Sequence, residues 1–579
     1  MHDCYLFSPN KRATQKFRQM KKILMPGMLM LVFLILTQHS TNGCTNFIIT
    51  KGASTDGSVM ITYAADSHTL YGELYYQPAR DYPKGAMREI YEWDTGKYLG
   101  EIPQVEHTYS VIGNMNEYQV AIGETTYGGR KELAHQKGAI MDYGSLIYVA
   151  LQRAPNAREA IKIMTGLAEE FGYYSSGESF SVADQNEAWI LEMIGKGEGE
   201  KGAVWVARRI PDGYISGHAN QARITTFPLD DSENCLYADD VISFARKKGW
   251  YKGADKDFSF SDVYNPVDFG GARFCDARVW AAFNRVAKGM EAYAEYAKGI
   301  VKKGGKHDFP VNRMPLWVKP GKKLAAQDVM NLMRDHFEGT ELDMTKDLGA
   351  GPFKLPYRWR GLTWKVDSKE YCNERATSTQ QTGFSFVAQC RNWLPNSIGG
   401  ILWFGVDDTY STCYAPMYCG ITEIPECFAV GNGDLLTYSE TAAFWTFNEV
   451  ANHAYLRYND MIKDIQLVQK ELESKFATNC MVIDKAAEML YKNNGEAAAR
   501  KFITEYSVNE ANNMTKRWKK LRNYLTVKYI DGNIKREKNG KFERTATGMP
   551  VTPVFAGYPD WWYRAIVNAT GDHFKMINE

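Results

Sequence analysis

The stretch that decides the fold is Cys44–Thr50, CTNFIIT, followed after a short gap by Ser58–Ala64, SVMITYA. Both stretches are short and rich in β-branched and aromatic residues, and glycine, serine and aspartate separate them. This pattern predicts two neighbouring strands joined by a turn. Cys44 is therefore expected at the start of the first strand.

The segment before Cys44 has the pattern of a secretory signal peptide. Basic residues come first, the apolar run Ile23–Leu36 follows, and the polar stretch Gln38–Gly43 leads to Cys44. This order predicts that residues 1–43 are removed from an exported protein, periplasmic or extracellular. The run is shorter than the roughly 20 residues that span a bilayer, so we expect no permanent membrane span. Met20 and the two lysines after it would also begin a signal peptide, which would make residues 1–19 an over-extended start.

Removal of residues 1–43 would give Cys44 a free α-amine beside its own thiol. The two groups have ordinary pKa values of about 7.7–8.0 and about 8.5, so they can exchange a proton near neutral pH. One residue then supplies both the nucleophile and the general base of an amide hydrolase, without a catalytic histidine. Position alone leaves two other interpretations open: a buried structural thiol, and a lipid-bearing cysteine that anchors a non-catalytic binding protein.

The rest of the chain contains separate blocks of strands and helices. Strand patterns occur before residue 125 and again over 179–219, and helical periodicity lies between them over Ile140–Glu170. Long amphipathic stretches follow over Thr437–Lys475 and Asp484–Tyr506. Such blocks predict an α+β fold of layered sheets and helices over 44–435, and a mainly helical C-terminal region over 436–579.

Several segments, taken in order, resemble one enzyme family. They are Cys44–Ile49, Gly52–Met60, Asp66-Ser67, Met115–Glu117 with Val120–Glu124, Ala157–Ala160, Trp189–Glu192 and Ala219–Ile224. Together they are similar to the cysteine dipeptidase family, which includes bacterial dipeptidase A and the secernins, within the N-terminal-nucleophile hydrolases. The resemblance is strong from Cys44 to about Ile224 and weaker through Pro416. It implies an αββα sandwich in which Cys44 opens a central strand.

The resemblance also implies a set of catalytic residues. Cys44 would be the nucleophile, Asp66 would hydrogen-bond its amine or thiol, and Asn116 and Asn220 would hold the tetrahedral oxyanion. Arg278 matches a late arginine of the relatives less closely. Structural interpretations stand beside these roles: a strand-end carboxylate for Asp66, a hairpin turn for Asn116 and a capping residue for Asn220.

Tyr63 departs from the family pattern. Many relatives have an arginine in the stretch where this chain has Ile61–Asp66, and Tyr63 replaces it. A cation that would lower the thiol pKa or hold a substrate carboxylate is therefore expected to be missing at this position. The side-chain preference for substrate stays open for this reason.

Other patterns point away from nucleic acids, metals and cofactors. Net charge is +1, from 69 basic and 68 acidic side chains, and no basic block follows residue 40, so no nucleic-acid partner is expected. Gly197–Gly202 matches GxGxxG but lies between two predicted strands and carries two glutamates, which predicts a hairpin loop instead of a nucleotide site. The ten cysteines include no CxxC pair, which favours structural thiols or disulfides over zinc. We therefore expect no metal and no organic cofactor.

The sequence thus predicts an exported cysteine dipeptidase that hydrolyses dipeptides or short peptides through an acyl-enzyme on Cys44. Two alternatives stay open: an acylase of the bile-salt or penicillin type on the same fold, and a lipid-anchored binding protein without catalysis. The sequence is also compatible with a homo-oligomer.

Overall fold

Two antiparallel β-sheets organise the computed structural model, which describes residues 43–357 and 362–577. In chain order, their strands are β1 Asn46–Ile49, β2 Val59–Asp66, β3 Tyr76–Gln77, β4 Val111–Ile112, β5 Met115–Asn116, β6 Ala121–Gly128, β7 Gly177–Ala183, β8 Ala188–Gly195, β9 Ala203–Arg209, β10 Ile215–His218, β11 Cys235–Tyr237, β12 Trp317–Val318, β13 Thr382–Cys390, β14 Ile401–Val406 and β15 Ala415–Tyr418. One sheet has seven strands in the order β12-β10-β1-β2-β13-β14-β15, and the other has eight in the order β11-β9-β8-β7-β6-β5-β4-β3. The strands β1 and β2 thus lie in the interior of the seven-stranded sheet.

The strands β1 and β2 confirm the first prediction from the sequence. β1 pairs with β10 on one side and with β2 on the other. β2 pairs with β13 along its whole length, from Val59 opposite Cys390 to Asp66 opposite Thr382. All eight residues of β2 are buried. Its nearly continuous apolar sequence follows from this position, since both faces of the strand are covered.

Helices lie outside the two sheets. Those of seven residues or more are α1 Tyr143–Leu151, α2 Ala157–Phe171, α3 Val241–Lys247, α4 Ala277–Val286, α5 Ala326–Leu332, α6 Ala443–Leu456, α7 Tyr458–Asn494, α8 Glu496–Lys528 and α9 Asp560–Thr570. Small two-stranded pairs occupy some connections: Arg80–Asp81 with His107–Thr108, Met87–Tyr91 with Tyr98–Pro103, Lys303–Gly304 with Phe309–Pro310, Thr363–Val366 with Lys369–Cys372, and Glu537–Lys538 with Lys541–Phe542. The helices α1 and α2 pack on the eight-stranded sheet, and α6 to α8 pack on the β14–β15 side of the seven-stranded sheet.

The strand β8 shows how one strand contributes to two cores. Trp189, Leu191 and Met193 belong to the core beneath α1 and α2, whereas Ile190 and Ile194 belong to the core between the sheets. This division follows from the alternation of side chains along a strand. Across the second core, β1 and β2 contact β6 and β7. The layers are therefore helices, sheet, sheet and helices, and the α+β class predicted from the sequence is confirmed.

The helix α2 begins where the sequence provides a cap. The side chain of Asn156 accepts a hydrogen bond from the backbone N–H of Glu159 at 2.9 Å, which fixes the first turn. Its buried residues recur every three or four positions, as in Ala157, Ala160, Ile161, Met164, Leu167 and Ala168. Pro155 and Asn156 lie at the junction of α1 and α2, where a proline and a capping asparagine favour the end of one helix and the start of the next.

The antiparallel helices α7 and α8 dominate the C-terminal region. They have 37 and 33 residues, and Gly495 joins them with a φ of 84°, a conformation that glycine adopts without steric cost. Trp518 of α8 stacks on Phe447 of α6 with ring centroids 4.6 Å apart. The amphipathic stretches predict helices in this region, but the bounds differ: the stretch Asp484–Tyr506 crosses the junction at Gly495, and α8 continues to Lys528. The helix α8 packs directly on β15.

The sequence patterns do not predict β13, although it is a central strand. All nine of its residues are buried, but Gly383, Ser385 and Gln389 interrupt the apolar pattern. The hairpin predicted at Gly197–Gly202 is confirmed, because this segment connects β8 and β9 as antiparallel neighbours.

The cysteines of the described ranges are all unpaired thiols: Cys44, Cys235, Cys275, Cys372, Cys390, Cys413, Cys419, Cys427 and Cys480. Within the same ranges, no group of three or more histidine, cysteine, aspartate or glutamate side chains is arranged to hold a metal ion. No described helix is both long and apolar enough to cross a bilayer. The predicted signal peptide lies outside the described residues except for Gly43.

Candidate active site

Gly43 and Cys44 lie where β1 begins, next to the end of β2 and the start of β13. The backbone N–H of Gly43 donates to the carbonyl of Asp66 at 3.1 Å. The carboxylate of Asp66 accepts hydrogen bonds from Thr382 Oγ1 at 2.7 Å and from Arg375 Nη2 at 2.7 Å. Because Asp66 lies opposite Thr382 in the sheet, the strand register brings these groups together.

The guanidinium of Arg375 joins the carboxylate of Asp66 to the peptide bond before Cys44. Its Nη2 also donates to the carbonyl oxygen of Gly43. Burial raises the pKa of the Asp66 carboxyl, although Arg375 and the hydroxyl of Thr382 act to lower it. Arg375 thus places a buried positive charge on the carbonyl that precedes Cys44.

A second buried guanidinium, that of Arg278, holds the start of β1. The segment Gly271–Asp276 forms a wide helical turn that continues into α4, and Arg278 lies in the first turn of α4. Its Nη1 donates to the carbonyl of Cys44 at 2.6 Å and to Thr45 Oγ1 at 2.8 Å. Burial, together with the positive charge of Arg375, lowers the pKa of Arg278 to about 10, so the group is still cationic at neutral pH.

The side chain of Asn220 is oriented by Arg278. Asn220 lies on the turn after β10 with a left-handed φ of 62°, which asparagine tolerates better than most residues. Its Oδ1 accepts from Arg278 Nη2 at 2.8 Å, and its Nδ2 donates to the carbonyl of Thr126 at 2.6 Å. A guanidinium only donates, so this contact fixes which end of the amide is the oxygen. The hydrogen bonds of the described residues use one of the two N–H groups on Nδ2.

The thiol of Cys44 lies beside a carboxylate and a phenol. Its Sγ is 3.6 Å from Glu124 Oε1 and 3.7 Å from the hydroxyl of Tyr63. Burial raises the pKa of the thiol well above its ordinary value, and the negative charges of Glu124 and Asp66 raise it further. In a chain that still carries Gly43, the thiol is therefore protonated at neutral pH and needs a base to become a nucleophile.

Tyr63 places a neutral phenol at the position where many relatives have an arginine. The ring packs edge-on against Phe384 and Phe386, and the hydroxyl donates to Glu124 Oε1 at 2.5 Å. Position 63 indeed lacks a cation. The junction at Cys44 does not, because Arg278 and Arg375 supply two from later parts of the chain.

The contacts of Asn116 do not match its predicted oxyanion role. Its Nδ2 donates to the carbonyls of Leu151 and Ala154, both at 2.8 Å. Its Oδ1 accepts from the N–H groups of Tyr118 and Val120, both at 3.0 Å. Both N–H donors of the amide are thus used at the end of α1, and none is left for an oxyanion. The structure gives Asn116 the hairpin-turn role that was its alternative interpretation.

Three side chains near the junction were missed by the sequence reasoning: Glu124, Arg375 and Thr382. Glu124 ends one of the segments that carry the family resemblance, so a signal existed for it. Arg375 lies 332 residues after Gly43 and outside every matched segment. Only the pairing of β2 with β13 reveals that it reaches the junction.

Comparison with known proteins identifies the family. The sequence profile of peptidase family C69 matches residues 43–471. The chain belongs to peptidase family C69. It is therefore a peptidase, of the cysteine type to which this family is assigned. The resemblance stated from the sequence is confirmed, and the C69 match begins one residue before Cys44.

Three relatives are distant in sequence, but the alignment with this chain covers most of the length of each. A probable dipeptidase of Latilactobacillus sakei is 23% identical over 475 residues, which are 77% of this chain and 88% of the relative. A probable dipeptidase of Salmonella dublin is 25% identical over 399 residues, 65% of this chain and 81% of the relative. Dipeptidase A of Lactobacillus helveticus is 23% identical over 408 residues, 66% of this chain and 77% of the relative.

Proposed function

We propose that this C69 peptidase is an exported dipeptidase whose nucleophile is the thiol of Cys44. The observation that carries the proposal is the convergence of four distant polar side chains around the junction of residues 43 and 44. They are Asp66, Asn220, Arg278 and Arg375. A structural cysteine has no need of two buried guanidinium groups beside it. Dipeptides are proposed as substrates because the relatives are named dipeptidases.

The proposed reaction starts with the free α-amine of Cys44. Removal of residues 1–43 creates this amine, which takes the proton of the thiol. The thiolate attacks the carbonyl carbon of the substrate, and a C–S bond forms while the carbonyl electron pair moves to oxygen. Collapse of this intermediate breaks the C–N bond, and the leaving amine takes the proton from the α-ammonium group. Water then hydrolyses the thioester and returns the thiol.

The amide of Asn220 is the proposed oxyanion donor. It is neutral, its orientation is fixed by Arg278, and an N–H group remains on Nδ2 after the bond to Thr126. A donor held before the reaction stabilises developing negative charge without reorganisation. Asp66 is proposed to orient the new amine, because its backbone carbonyl already accepts the N–H of the adjacent Gly43.

The fold and the start of the chain agree with this proposal. The four layers and the place of Cys44 before a central strand support an N-terminal-nucleophile αββα sandwich. Export rests on the signal-peptide pattern of residues 1–43.

The surroundings of the thiol disfavour a lipid anchor, and the names of the relatives favour a dipeptidase over an acylase. A lipid on Cys44 Sγ would have to displace Tyr63 and Glu124, which lie 3.7 and 3.6 Å from the sulfur.

A dipeptide panel and a panel of acyl-amides, assayed with processed enzyme, test the proposal. We expect an intact mass that corresponds to an unmodified N-terminal Cys44, cleavage of dipeptides, and loss of cleavage in Cys44→Ala. The variant Cys372→Ala is the matched control, since Cys372 is a partly buried thiol in a peripheral hairpin, and it should keep its activity. Diacylglycerol on Cys44, or full activity in Cys44→Ala, would refute the proposal.

A further inference from the structure

Glu124 lies beside the thiol of Cys44 and interacts with a second buried carboxyl group, that of Glu178. Glu124 of β6 and Glu178 of β7 are 2% and 1% exposed. Neither Glu124 Oε2 nor Glu178 Oε2 receives a hydrogen bond from any described N–H or O–H group. The two carboxyl groups interact with each other instead. At least one carboxyl of such a pair carries a proton, because two buried carboxyl groups that interact do not both ionise.

No positive side chain of the described residues compensates this pair. After burial, the groups that act most strongly on the pKa of Glu124 are Tyr63, Glu178, Asp94 and Cys44, all neutral or acidic. Burial raises the pKa of Glu124 to about 7 and that of Glu178 well above its ordinary value. A buried carboxylate without a partner is costly, and a cation from outside the chain would relieve that cost.

A third acidic group, Asp94, acts on this pair from the surface. Asp94 is exposed and acts electrostatically on both buried glutamates. The hydroxyl of Tyr143 donates to Asp94 Oδ1 at 2.9 Å, which holds this carboxylate in place. A group of charges of one sign attracts ligands of the opposite sign.

We propose that Glu124, supported by Glu178, binds the free α-ammonium group of the peptide substrate. This inference rests on the proposed function and specifies which end of the substrate lies at the acidic pair. The ammonium nitrogen of a dipeptide is two bonds, about 2.5 Å, from the carbonyl carbon that the thiolate attacks. Glu124 Oε1 is 3.6 Å from Cys44 Sγ. An ammonium group at the attacked residue is therefore within hydrogen-bond reach of this carboxylate.

The proposal accounts for the shared proton. When the ammonium group binds, the proton between Glu124 and Glu178 is released to solvent, and the N–H donors of the ammonium replace it. Tyr63 keeps its bond to Oε1, which leaves Oε2 for the substrate. A substrate without the ammonium group has no positive charge and no N–H donors that could replace this proton. Acylated and desamino analogues should therefore be poor substrates.

The wild-type enzyme gives the first test. Processed enzyme is assayed with alanyl-alanine and with propionyl-alanine, which has the same carbon skeleton without the amino group. We expect kcat/KM to be about 10- to 100-fold higher for alanyl-alanine, as for the loss of one charge-assisted hydrogen bond. Equal kcat/KM values would overturn the inference and leave the proposed function intact. Absence of dipeptide cleavage by correctly processed enzyme would overturn both.

Two isosteric variants give the second test. In Glu124→Gln we expect kcat/KM for alanyl-alanine to fall about 10- to 100-fold, mainly through KM, and for propionyl-alanine to change less than about threefold. Glu178→Gln should show a smaller loss of the same kind, because Glu178 acts through Glu124. Glu170→Gln, on the exposed face of α2, is the control and should match wild type. If either buried variant fails to fold, the comparison of the two substrates in wild type still decides.

The rate of Cys44 alkylation by iodoacetamide separates substrate binding from a role as a base. Removal of the Glu124 charge should leave this rate unchanged or increase it, because that charge raises the pKa of the thiol. Slower alkylation, together with equal losses on both substrates, would assign Glu124 to proton transfer and overturn the inference.

Discussion

The turns at Asn116 and Asn220 have the same residue type and the same predicted role, but the structure gives their amides different partners. Asn116 is fully buried, and backbone groups take both of its donors and its acceptor. Asn220 is partly exposed, and a guanidinium holds its oxygen so that an N–H group stays available. The comparison shows that a candidate oxyanion donor is recognised by an amide N–H group that other hydrogen bonds do not use. An amide whose donors are all used has a structural role only.

The largest expected effect is that of Asn220→Gly. Glycine keeps the left-handed backbone at φ 62° and removes only the amide. We expect kcat for a dipeptide to fall about 100-fold or more, as for loss of one oxyanion donor, while the melting temperature changes by only a few degrees. Steady-state kinetics and thermal unfolding measure the two quantities. A wild-type kcat in this variant would show that the Asn220 amide has no role in the reaction, as is expected for Asn116.

A smaller loss is expected from Arg278→Lys. Lysine lacks the fork that holds Asn220 Oδ1 and the Cys44 carbonyl at once, so we expect kcat to fall about tenfold. If Arg278 is a positioning residue for Asn220, the double variant with Asn220→Gly should have the same kcat as Asn220→Gly alone. Multiplied losses in the double variant would show that Arg278 acts independently of Asn220.

The variant Asn116→Ala should lower the stability of the protein and leave its kcat almost unchanged, the reverse of Asn220→Gly. It leaves the carbonyls of Leu151 and Ala154 without their donor, so we expect a loss of about 2 to 4 kcal/mol in the free energy of unfolding. The kcat of the folded fraction should stay within about threefold of wild type. Urea unfolding with kinetics under native conditions checks this, and a kcat loss as large as that of Asn220→Gly would restore the predicted oxyanion role.

The smallest expected effect is a pH dependence of the free energy of unfolding, caused by a carboxyl group next to the Asn220 turn. The buried Glu192 accepts hydrogen bonds from the N–H groups of Arg223 and Ile224, just after Asn220. Burial raises the pKa of Glu192 to about 7, although those N–H groups act to lower it. A raised carboxyl pKa favours folding below the unfolded-state pKa of about 4.3, and this contribution is lost as pH rises to about 7.

The matched variant for this effect is Glu192→Gln, with the exposed Glu170→Gln as control. We expect the stability of wild type relative to Glu192→Gln to fall by about 1 to 3 kcal/mol between pH 4.5 and pH 7. Urea unfolding at several pH values measures it. A constant difference across this range would contradict the assignment, and the Glu170→Gln difference should be constant.

The sequence predicts features that depend on local patterns, but not contacts between residues far apart in the chain. The strands around Cys44 and the break between α1 and α2 follow from local patterns, so they were predictable. The two asparagines were not distinguishable, because their difference depends on Leu151, 35 residues after Asn116, and on Arg278, 58 residues after Asn220. Arg375 was missed for the same reason, since no local pattern reports a contact with Asp66 across 309 residues. Strand β13 was missed because its polar residues are buried by tertiary packing.

The bond from Arg375 to the carbonyl of Gly43 has a consequence for the order of folding. Its partners are 332 residues apart, and β13 must pair with β2 before the guanidinium reaches the junction. A contact between residues this far apart forms only when the C-terminal half of the chain is present. A chain that ends before residue 375 lacks one of the two guanidinium groups that hold the carbonyls of Gly43 and Cys44. The C-terminal half of the chain is therefore required to complete the surroundings of Cys44 near the other end.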